Sequence, residues 1–332
     1  MCGFLCVVTR RLLAETMDVG ALNKDVLRHR GPDSSGELLF QHAYVRHWRL
    51  SIVDLSAASS QPYGDGDSWL IYNGEIYNYE EMAARLSLRV PGDTALLFEL
   101  CKLGIEEQAL TQARGFYSYL YLSENGLELS GGRDPFGKKP LFYHVDEAAG
   151  IAVFASEEKA IVDCLGAGRV DFAAVSQYLL YKQLFHGGTY FEGIKHLAPG
   201  ARFRFDVREW TFEIDRDWAA YYRTPAAEVF AAAPDEATAD RTRGGQVESL
   251  LAEQLRDALV LRVPRDVSAS VALSGGVDSS LIAALTVDTA SLHHISQFVT
   301  VAFREPGCDE SSRAAEIART LSVAGKIGRA HV

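Results

Sequence analysis

The chain has 332 residues, 48% of them hydrophobic and 23% charged, with a formal net charge of −11. That length favours two domains over a single core. The acidic balance argues against a nucleic-acid binder, which presents a basic face, and no apolar run reaches membrane-spanning length. The five cysteines (Cys2, Cys6, Cys101, Cys164 and Cys308) are odd in number and scattered. This speaks against a disulfide framework and for a reducing compartment. The N-terminus "MCGFLCVVTRR" carries its charges after the apolar run, so no secretory leader is expected and a cytoplasmic location follows. No CxxC…CxxC or HExxH spacing occurs, and no metal site is assignable from the sequence.

Along the chain, "GFLCVVT" (3–9) is apolar and β-branched and predicts a strand. "ALNKDVLRHR" (21–30) sets Leu22, Val26 and Leu27 at helical spacing and stops at Gly31-Pro32. "VRHWRLSIVDL" (45–55) alternates as a strand does. "SWLIYNGEIYNY" (68–79) reads as two aromatic runs about Asn73-Gly74, a hairpin signal. "EEMAARLSL" (80–88) and "DTALLFELCKLG" (93–104) predict helices. "YSYLYLSENGLELSGGRD" (117–134) predicts a hairpin turning at Asn125-Gly126, and "GIAVFASE" (150–157) a further strand. "DFAAVSQYLLYKQL" (171–184) predicts a helix capped by Asp171. Strands first, helices interspersed and no βαβ repeat together predict an α+β layered domain.

Composition shifts near residue 219 to an Ala-rich, charged and weakly patterned stretch, read as a linker or insertion over 219–245. "QVESLLAEQLRDALVLRV" (246–263) then places Val247, Leu250, Leu251, Leu255, Ala258 and Leu259 on one helical face. Strand-loop-helix follows twice: "SASVAL" into "SSLIAALTV", and "QFVTVAF" into "DESSRAAEIARTL". Apolar strands alternating with helices predict a parallel α/β sheet.

Ser-Gly-Gly occurs at 130–132 and at 274–276. The first runs into "RDPFGKKPLFY", whose Pro135 and Gly137 block a helix, so it is assigned to a turn. The second links an apolar strand to an apolar helix in "VALSGGVDSSLIAAL". There the glycines allow close backbone approach, and the helix N–H groups and dipole favour an anion. No lysine follows, so this is not the GxxxxGK[ST] loop. The pattern SGGxDS resembles the pyrophosphate loop of ATP pyrophosphatases, which cleave ATP at the α-phosphate.

Cys2 raises a second chemistry. Loss of Met1 would give it a free α-amine whose ordinary pKa, about 7.7–8.0, suits a general base. Arg49 has the fork to hold a carboxylate. Glu75 and Asp93 have the charge to hold an ammonium, and Asn73 and the Gly74 N–H suit an oxyanion. On the residues alone plainer readings stay open: a small strand residue for Cys2, a surface strand residue for Arg49, a hairpin turn for Asn73-Gly74 and an N-cap for Asp93.

"MCGF", "RHRGPDSSG" (28–36), "RLSIVD" (49–54), "YNGEIYNYEEM" (72–82), "GDTALLFEL" (92–100), "GRDPFGKKPLFY" (132–143), "FASEEKAI" (154–161), "FEGIKHLAPG" (191–200) and "LSGGVDSSLIAAL" (273–285) follow in order. In this set and order the chain resembles the glutamine-hydrolysing asparagine synthetase family. The resemblance implies an N-terminal-nucleophile αββα sandwich over residues 2–218. A partial α/β parallel-sheet nucleotide domain is implied over 246–332. It further implies that Cys2 forms a thioester with glutamine, with Asn73 and Gly74 as the oxyanion hole. Arg49, Ile52, Val53, Asn73, Gly74, Glu75 and Asp93 would bind glutamine. Leu273, Ser274, Gly275, Gly276, Val277, Asp278, Ser279 and Val301 would bind ATP, with Mg²⁺ carried on the nucleotide and Asp278 as its candidate protein ligand. The family's substrates are glutamine, aspartate and ATP, and its intermediate is β-aspartyl-AMP. Self-association into a homodimer is left open. Phe4, where the family usually has isoleucine, is a departure in packing rather than chemistry.

A later "SGEGSDE"-like segment of the family has no counterpart here, and the terminal "KIGRAHV" resembles translated sequencing-adapter DNA. A truncated synthetase region is therefore expected, with glutamine hydrolysis the half-reaction retained. Two alternatives remain from the sequence: a relative that amidates another carboxylate, and a non-catalytic truncated binding protein.

Overall fold

The computed structural model describes residues 1–185, 187–215, 241–264, 266–289, 295–303, 309–321 and 328–331. The chain divides into two compact units, residues 1–229 and 230–332. Most of the segment read as a linker, 219–240, lies outside the described residues.

The first unit begins with β1 (Gly3–Thr9), α1 (Leu13–Thr16), β2 (Ser34–Leu39), β3 (Ala43–Arg49), β4 (Tyr63–Gly64) and β5 (Trp69–Ile76). It continues through α2 (Tyr79–Arg85), α3 (Asp93–Lys102), α4 (Glu106–Leu110), β6 (Gly115–Ser123) and β7 (Glu128–Arg133). Then come β8 (Phe142–Asp146), β9 (Ile151–Ala155), α5 (Glu158–Leu165), α6 (Phe172–Tyr181), β10 (Lys195–His196), β11 (Arg202–Asp206) and β12 (Thr211–Asp215). The strands form two six-stranded sheets, ordered β10-β8-β9-β1-β3-β2 and β12-β11-β7-β6-β5-β4. Every pairing within them is antiparallel.

Strand periodicity explains the layering. On β1, Phe4, Cys6 and Val8 join Ile71, Leu120 and Phe203 in a core between the sheets. The alternate residues Leu5 and Val7 pack outward with Ala160 and Ile161 of α5. Both faces are covered, so β1 reads as an unbroken apolar run rather than an alternating one. On the far side, Leu70, Tyr72 and Ile76 of β5 pack with Leu96, Leu97 and Leu100 of α3 and with Met82 of α2. The result is the expected αββα sandwich. The Phe154 and Phe203 rings stack across the inner core at 4.8 Å, only 5° from parallel. Each buried aromatic of this kind stabilises the fold by roughly 1.5–3 kcal/mol.

Three local expectations are corrected. Asn73-Gly74 is not a turn: β5 runs straight through it and pairs with β6 from Trp69↔Leu122 to Ile76↔Gly115. A Cβ built on Gly74 would lie 2.3 Å from the Phe116 carbonyl oxygen, so glycine here permits strand contact. Ser130-Gly131-Gly132 is likewise strand β7, and the turn begins only after Arg133. Residues 21–30 leave a short 3-10 turn (Val19–Ala21) and continue in successive tight turns instead of an α-helix, although the chain does change direction at Gly31-Pro32. Other expectations hold. The β6–β7 hairpin turns through Asn125 and Gly126, both at positive φ, and Asp171 caps α6 through the Ala173 and Ala174 N–H groups.

In the second unit, α7 (Arg241–Arg262) precedes β13 (Ala269–Ala272), α8 (Val277–Asp288), β14 (Ile295–Ala302), α9 (Ser311–Thr320) and β15 (Gly328–His331). The predicted helix therefore starts earlier than its apolar pattern, and Leu250 and Leu251 on it are exposed. The three strands form a parallel sheet ordered β13-β14-β15. The third strand lies in the terminal "KIGRAHV" stretch. Leu273, Ala283, Phe298, Ala314 and Ala318 make a small core of their own. Among the described residues, no helix is long and apolar enough to cross a membrane.

Candidate active site

The geometry of the first unit brings the candidate glutamine residues together. Cys2, Arg49, Ile52, Val53, Asn73, Gly74, Glu75 and Asp93 line one open cavity of about 470 Å³ empty volume. They come from separate elements: Cys2 just before β1, Arg49 at the end of β3, Asn73 to Glu75 in β5, and Asp93 at the first position of α3. Gly92, not Asp93, is the N-cap of α3, so Asp93 is not the capping residue that the plainer reading made it. Its carboxylate accepts from the Tyr72 hydroxyl at 3.0 Å and from the Ile76 and Thr94 N–H groups at 3.1 and 2.8 Å.

Cys2 is held on two sides. The Leu50 N–H lies 3.4 Å from its Sγ, and Arg30 donates from Nε to its carbonyl at 2.9 Å. Arg30 is itself fixed by Glu157 at 2.9 Å. Arg49 is buried and donates to the Ser56 carbonyl at 2.8 Å and to the Asp54 carbonyl. It therefore shapes the loop that carries Ile52 and Val53 and keeps its other N–H donors for a ligand. Asn73 is buried, and its Nδ2 has no hydrogen-bond partner among the described residues. A buried amide donor costs free energy while unpaired, and an arriving oxyanion would satisfy it.

The charges follow from burial. Burial pushes the Cys2 thiol up, while the Leu50 N–H, the N-terminal amine, Lys139 and Arg49 pull it back. Burial also pushes the ammonium of Met1, which lines the cavity, down from its ordinary range. Glu75 is pushed up to about 7, first by burial and then by Asp93, with Lys139 opposing. Asp93 is pushed up by burial, against its three hydrogen-bond donors. One buried and one half-buried carboxyl, both held above their ordinary range, gain from any cation placed between them. His47 is fully buried and pushed down to about 3 by that burial. Its ring is neutral, with Nε2 at 3.2 Å from the Tyr72 carbonyl.

Sequence reasoning missed Ser59, Gln61, Tyr72, Thr94 and Lys139, which also line the cavity. Lys139 lay in a quoted motif, but the motif offers two adjacent lysines. Asp134 decides between them. Its carboxylate accepts from the Phe136, Lys138, Lys139 and Tyr117 N–H groups and fixes a turn that buries Lys139 and exposes Lys138.

The second unit places the other candidates at a strand-loop-helix junction. Leu273 is buried just after β13 and donates its N–H to the Val299 carbonyl at 2.9 Å. Gly275 has φ +87° and Gly276 caps α8. Val277 and Asp278 open α8, and Val301 lies exposed near the end of β14. Ser274 and Ser279 meet through their hydroxyls at 3.0 Å. A left-handed glycine before a twelve-residue helix fits a phosphate group. Among the described residues no group of three His, Cys, Asp or Glu side chains could hold a metal ion. Asp278 is the acidic side chain in the first turn of α8.

Comparisons with known proteins agree with the two units. Residues 1–218 match the model of the glutamine amidotransferase domain, and residues 250–326 match that of asparagine synthase. Asparagine synthetase [glutamine-hydrolyzing] 1 of Bacillus subtilis is 31% identical over 97% of this chain and 49% of its own length. Amidase chry2 of Gibberella zeae is 30% identical over 90% of this chain and 45% of its own. The chain thus spans about half the length of these curated relatives. Among solved structures, glutamine phosphoribosylpyrophosphate amidotransferase from B. subtilis aligns with TM-score 0.47 at 14% identity, covering 99% of this chain and 81% of that one. From its matched domains, the chain belongs to the glutamine amidotransferase family, in the branch that carries an asparagine synthase region.

Proposed function

We propose that this chain hydrolyses glutamine at Cys2, as the glutaminase part of a glutamine-hydrolysing asparagine synthetase. The observation that carries the reading is one cavity in which the thiol, two carboxylates, Arg49 and the unpartnered Asn73 amide meet. With Met1 removed, the Cys2 α-amine takes the thiol proton, and Sγ attacks the glutamine amide carbon. The C–S bond forms while the Asn73 Nδ2 and Gly74 N–H hold the oxyanion. The C–N bond then breaks, and nitrogen leaves as ammonia with the proton returned by the amine. Water, deprotonated by the same amine, cleaves the thioester to glutamate and restores Cys2. Arg49 grips the substrate carboxylate, Glu75 and Asp93 its ammonium, and Ile52 and Val53 line the pocket.

Residues 2–218 form this glutaminase domain, 219–245 a linker or insertion, and 246–332 part of a synthetase domain. In the whole protein ATP would supply activation of a carboxylate, aspartate in the leading reading. The loop Ser274–Ser279 would hold its pyrophosphate against the α8 N-terminus, and Leu273 and Val301 would flank the nucleoside. Mg²⁺ would arrive on the nucleotide, with Asp278 near it. We assign the enzyme to the cytoplasm and leave its self-association open. The amidase names of some relatives favour a second reading, in which ammonia goes to a different acceptor.

The experiment is ammonia release from glutamine by the full chain and by Cys2→Ala. Release should be glutamine-dependent and absent from the variant. Equal release from both would remove Cys2 from the chemistry.

A further inference from the structure

Lys139 is an unusual lysine. It is buried, it lines the Cys2 cavity, and its Nζ has no hydrogen bond or ion pair among the described residues. Ammonium groups are rarely buried without a partner, because losing water costs more than packing returns. Its position is nevertheless well fixed. Asp134 holds its N–H at 3.0 Å, and Arg133 donates to its carbonyl at 2.6 Å. Gly137, at φ +61°, lets the turn close. Nζ then lies 4.4 Å from the centre of the Phe116 ring, a cation–π contact. Phe116 of β6 is the cross-strand partner of Glu75 of β5. Cross-strand side chains are neighbours, so the ammonium stands beside the Glu75 carboxyl, within the same cavity as the thiol.

We propose that Lys139 is the counter-ion of this cavity: a positioning residue whose ammonium faces the Cys2 thiolate once it forms, and the Glu75 carboxylate. The inference rests on the glutaminase reading for its purpose, but not for its test. The other charged and titratable groups around Cys2 are Arg49 from β3, Arg30 from the preceding turn, Tyr72 and Glu75 from β5, Asp93 from α3 and the terminal amine. Arg49 is engaged with loop carbonyls and Arg30 with Glu157. Among the described residues around Cys2, Lys139 is thus the cationic side chain with no hydrogen bond or ion pair, its ammonium resting on the Phe116 ring alone. The electrostatics agree: burial lowers Lys139 from its ordinary range, and Glu75 and Cys2 are among the groups that raise it again.

The test is alkylation of Cys2 by iodoacetamide from pH 6 to 10, followed peptide by peptide by mass spectrometry. It uses the full chain, with its N-terminus identified by intact mass. Thiolate is the reacting form, so a lost neighbouring cation moves the midpoint upward. Lys139→Met should alkylate about tenfold more slowly at pH 7 than wild type, with its midpoint raised by about one pH unit. Lys139→Arg should stay near wild type. A Lys139→Met curve that overlays wild type would overturn the proposal. If a thermal melt shows that variant unfolded, Lys139→Gln against Lys139→Arg decides: both keep a long polar chain, and only one keeps the charge. Equal midpoints in that pair would overturn the proposal too. Ammonia release from the same samples separates the two ideas. A wild type that releases none loses the glutaminase reading, while the alkylation difference is unaffected.

Discussion

The Cys2 cavity and the Ser274–Ser279 loop are built in opposite ways. The cavity draws its groups from the entry to β1, the end of β3, the middle of β5, the start of α3 and the Asp134–Lys139 turn. One of those groups, the Asn73 amide, is buried with its Nδ2 unpartnered among the described residues, and burial raises the Glu75 carboxyl to about 7. The loop takes its groups from one short stretch, and its serine hydroxyls bond to one another and to the Gly276 carbonyl. A local motif is easy to recognise and asks little of the rest of the fold. A dispersed site is harder to recognise, but its unpartnered donor and shifted charges report on what it binds.

The largest effect should come from Asn73→Ala. Removing one oxyanion donor costs about 10²–10³ in kcat, with KM for glutamine little changed. A kcat within a factor of three of wild type would take Asn73 out of the oxyanion hole. Arg49→Lys comes next. A lysine cannot reproduce the fork or hold both loop carbonyls, so KM should rise roughly 10- to 100-fold while kcat moves less. An unchanged KM would place the carboxylate elsewhere.

The two Ser-Gly-Gly stretches offer a paired test of fold against loop. A Cβ on Gly131 would lie 2.6 Å from the Phe203 ring and 2.7 Å from the Tyr119 carbonyl oxygen. Gly131→Ala should therefore lower unfolding free energy by about 1–3 kcal/mol in a denaturant melt. A Cβ on Gly275 would meet the base of the Arg313 side chain, with Cγ at 2.9 Å, and φ is +87°. Gly275→Ala should cost about 1 kcal/mol, and locally. A reversed order of the two would contradict the packing described here.

The smallest effect concerns Glu75, whose folded pKa is raised to about 7. Such a group contributes stability that is fully present below its unfolded value, near 4.5, and lost as pH rises through about 7. Glu75→Gln should thus be the more stable protein at pH 8, by on the order of 1 kcal/mol because water still reaches the carboxyl, with the gap closing toward pH 4.5. In function the sign is opposite. Wild-type kcat/KM for glutamine should fall as pH drops below about 7, when Glu75 loses the charge that holds the ammonium. A flat profile from pH 6 to 8 would remove Glu75 from substrate binding.

The sandwich arrangement itself was implied by the family resemblance; the α+β layering was legible because the strands carry apolar runs and the hairpin turn at Asn125-Gly126 is local chemistry. The Asn73-Gly74 pair misled for the same reason. Its turn preference is local, whereas eight residues of pairing with β6 hold β5 extended. Ser130 to Gly132 misled because glycine suggests a turn locally, whereas the β6 hairpin partner on one side and β11, about 70 residues later, on the other hold it extended. Among site residues, those whose own chemistry suggests a role within a motif were found, while Tyr72, Thr94 and Lys139 were missed although they lie in recognised motifs. Lys139 was missed because the direction of its side chain is set by Asp134 and Arg133 rather than by its own identity. Tyr72 was hidden by its apolar ring, which packs in the α3 core while its hydroxyl reaches Asp93.

The central claim is that Cys2 is a nucleophile toward glutamine, and trapping the bond it makes tests that most directly. Wild-type chain mixed with glutamine and quenched in acid within a turnover should carry a γ-glutamyl thioester on the Cys2 peptide, seen by mass spectrometry and lost on treatment with hydroxylamine. Ammonia release with no adduct on Cys2, or with an adduct on another residue, would contradict the account.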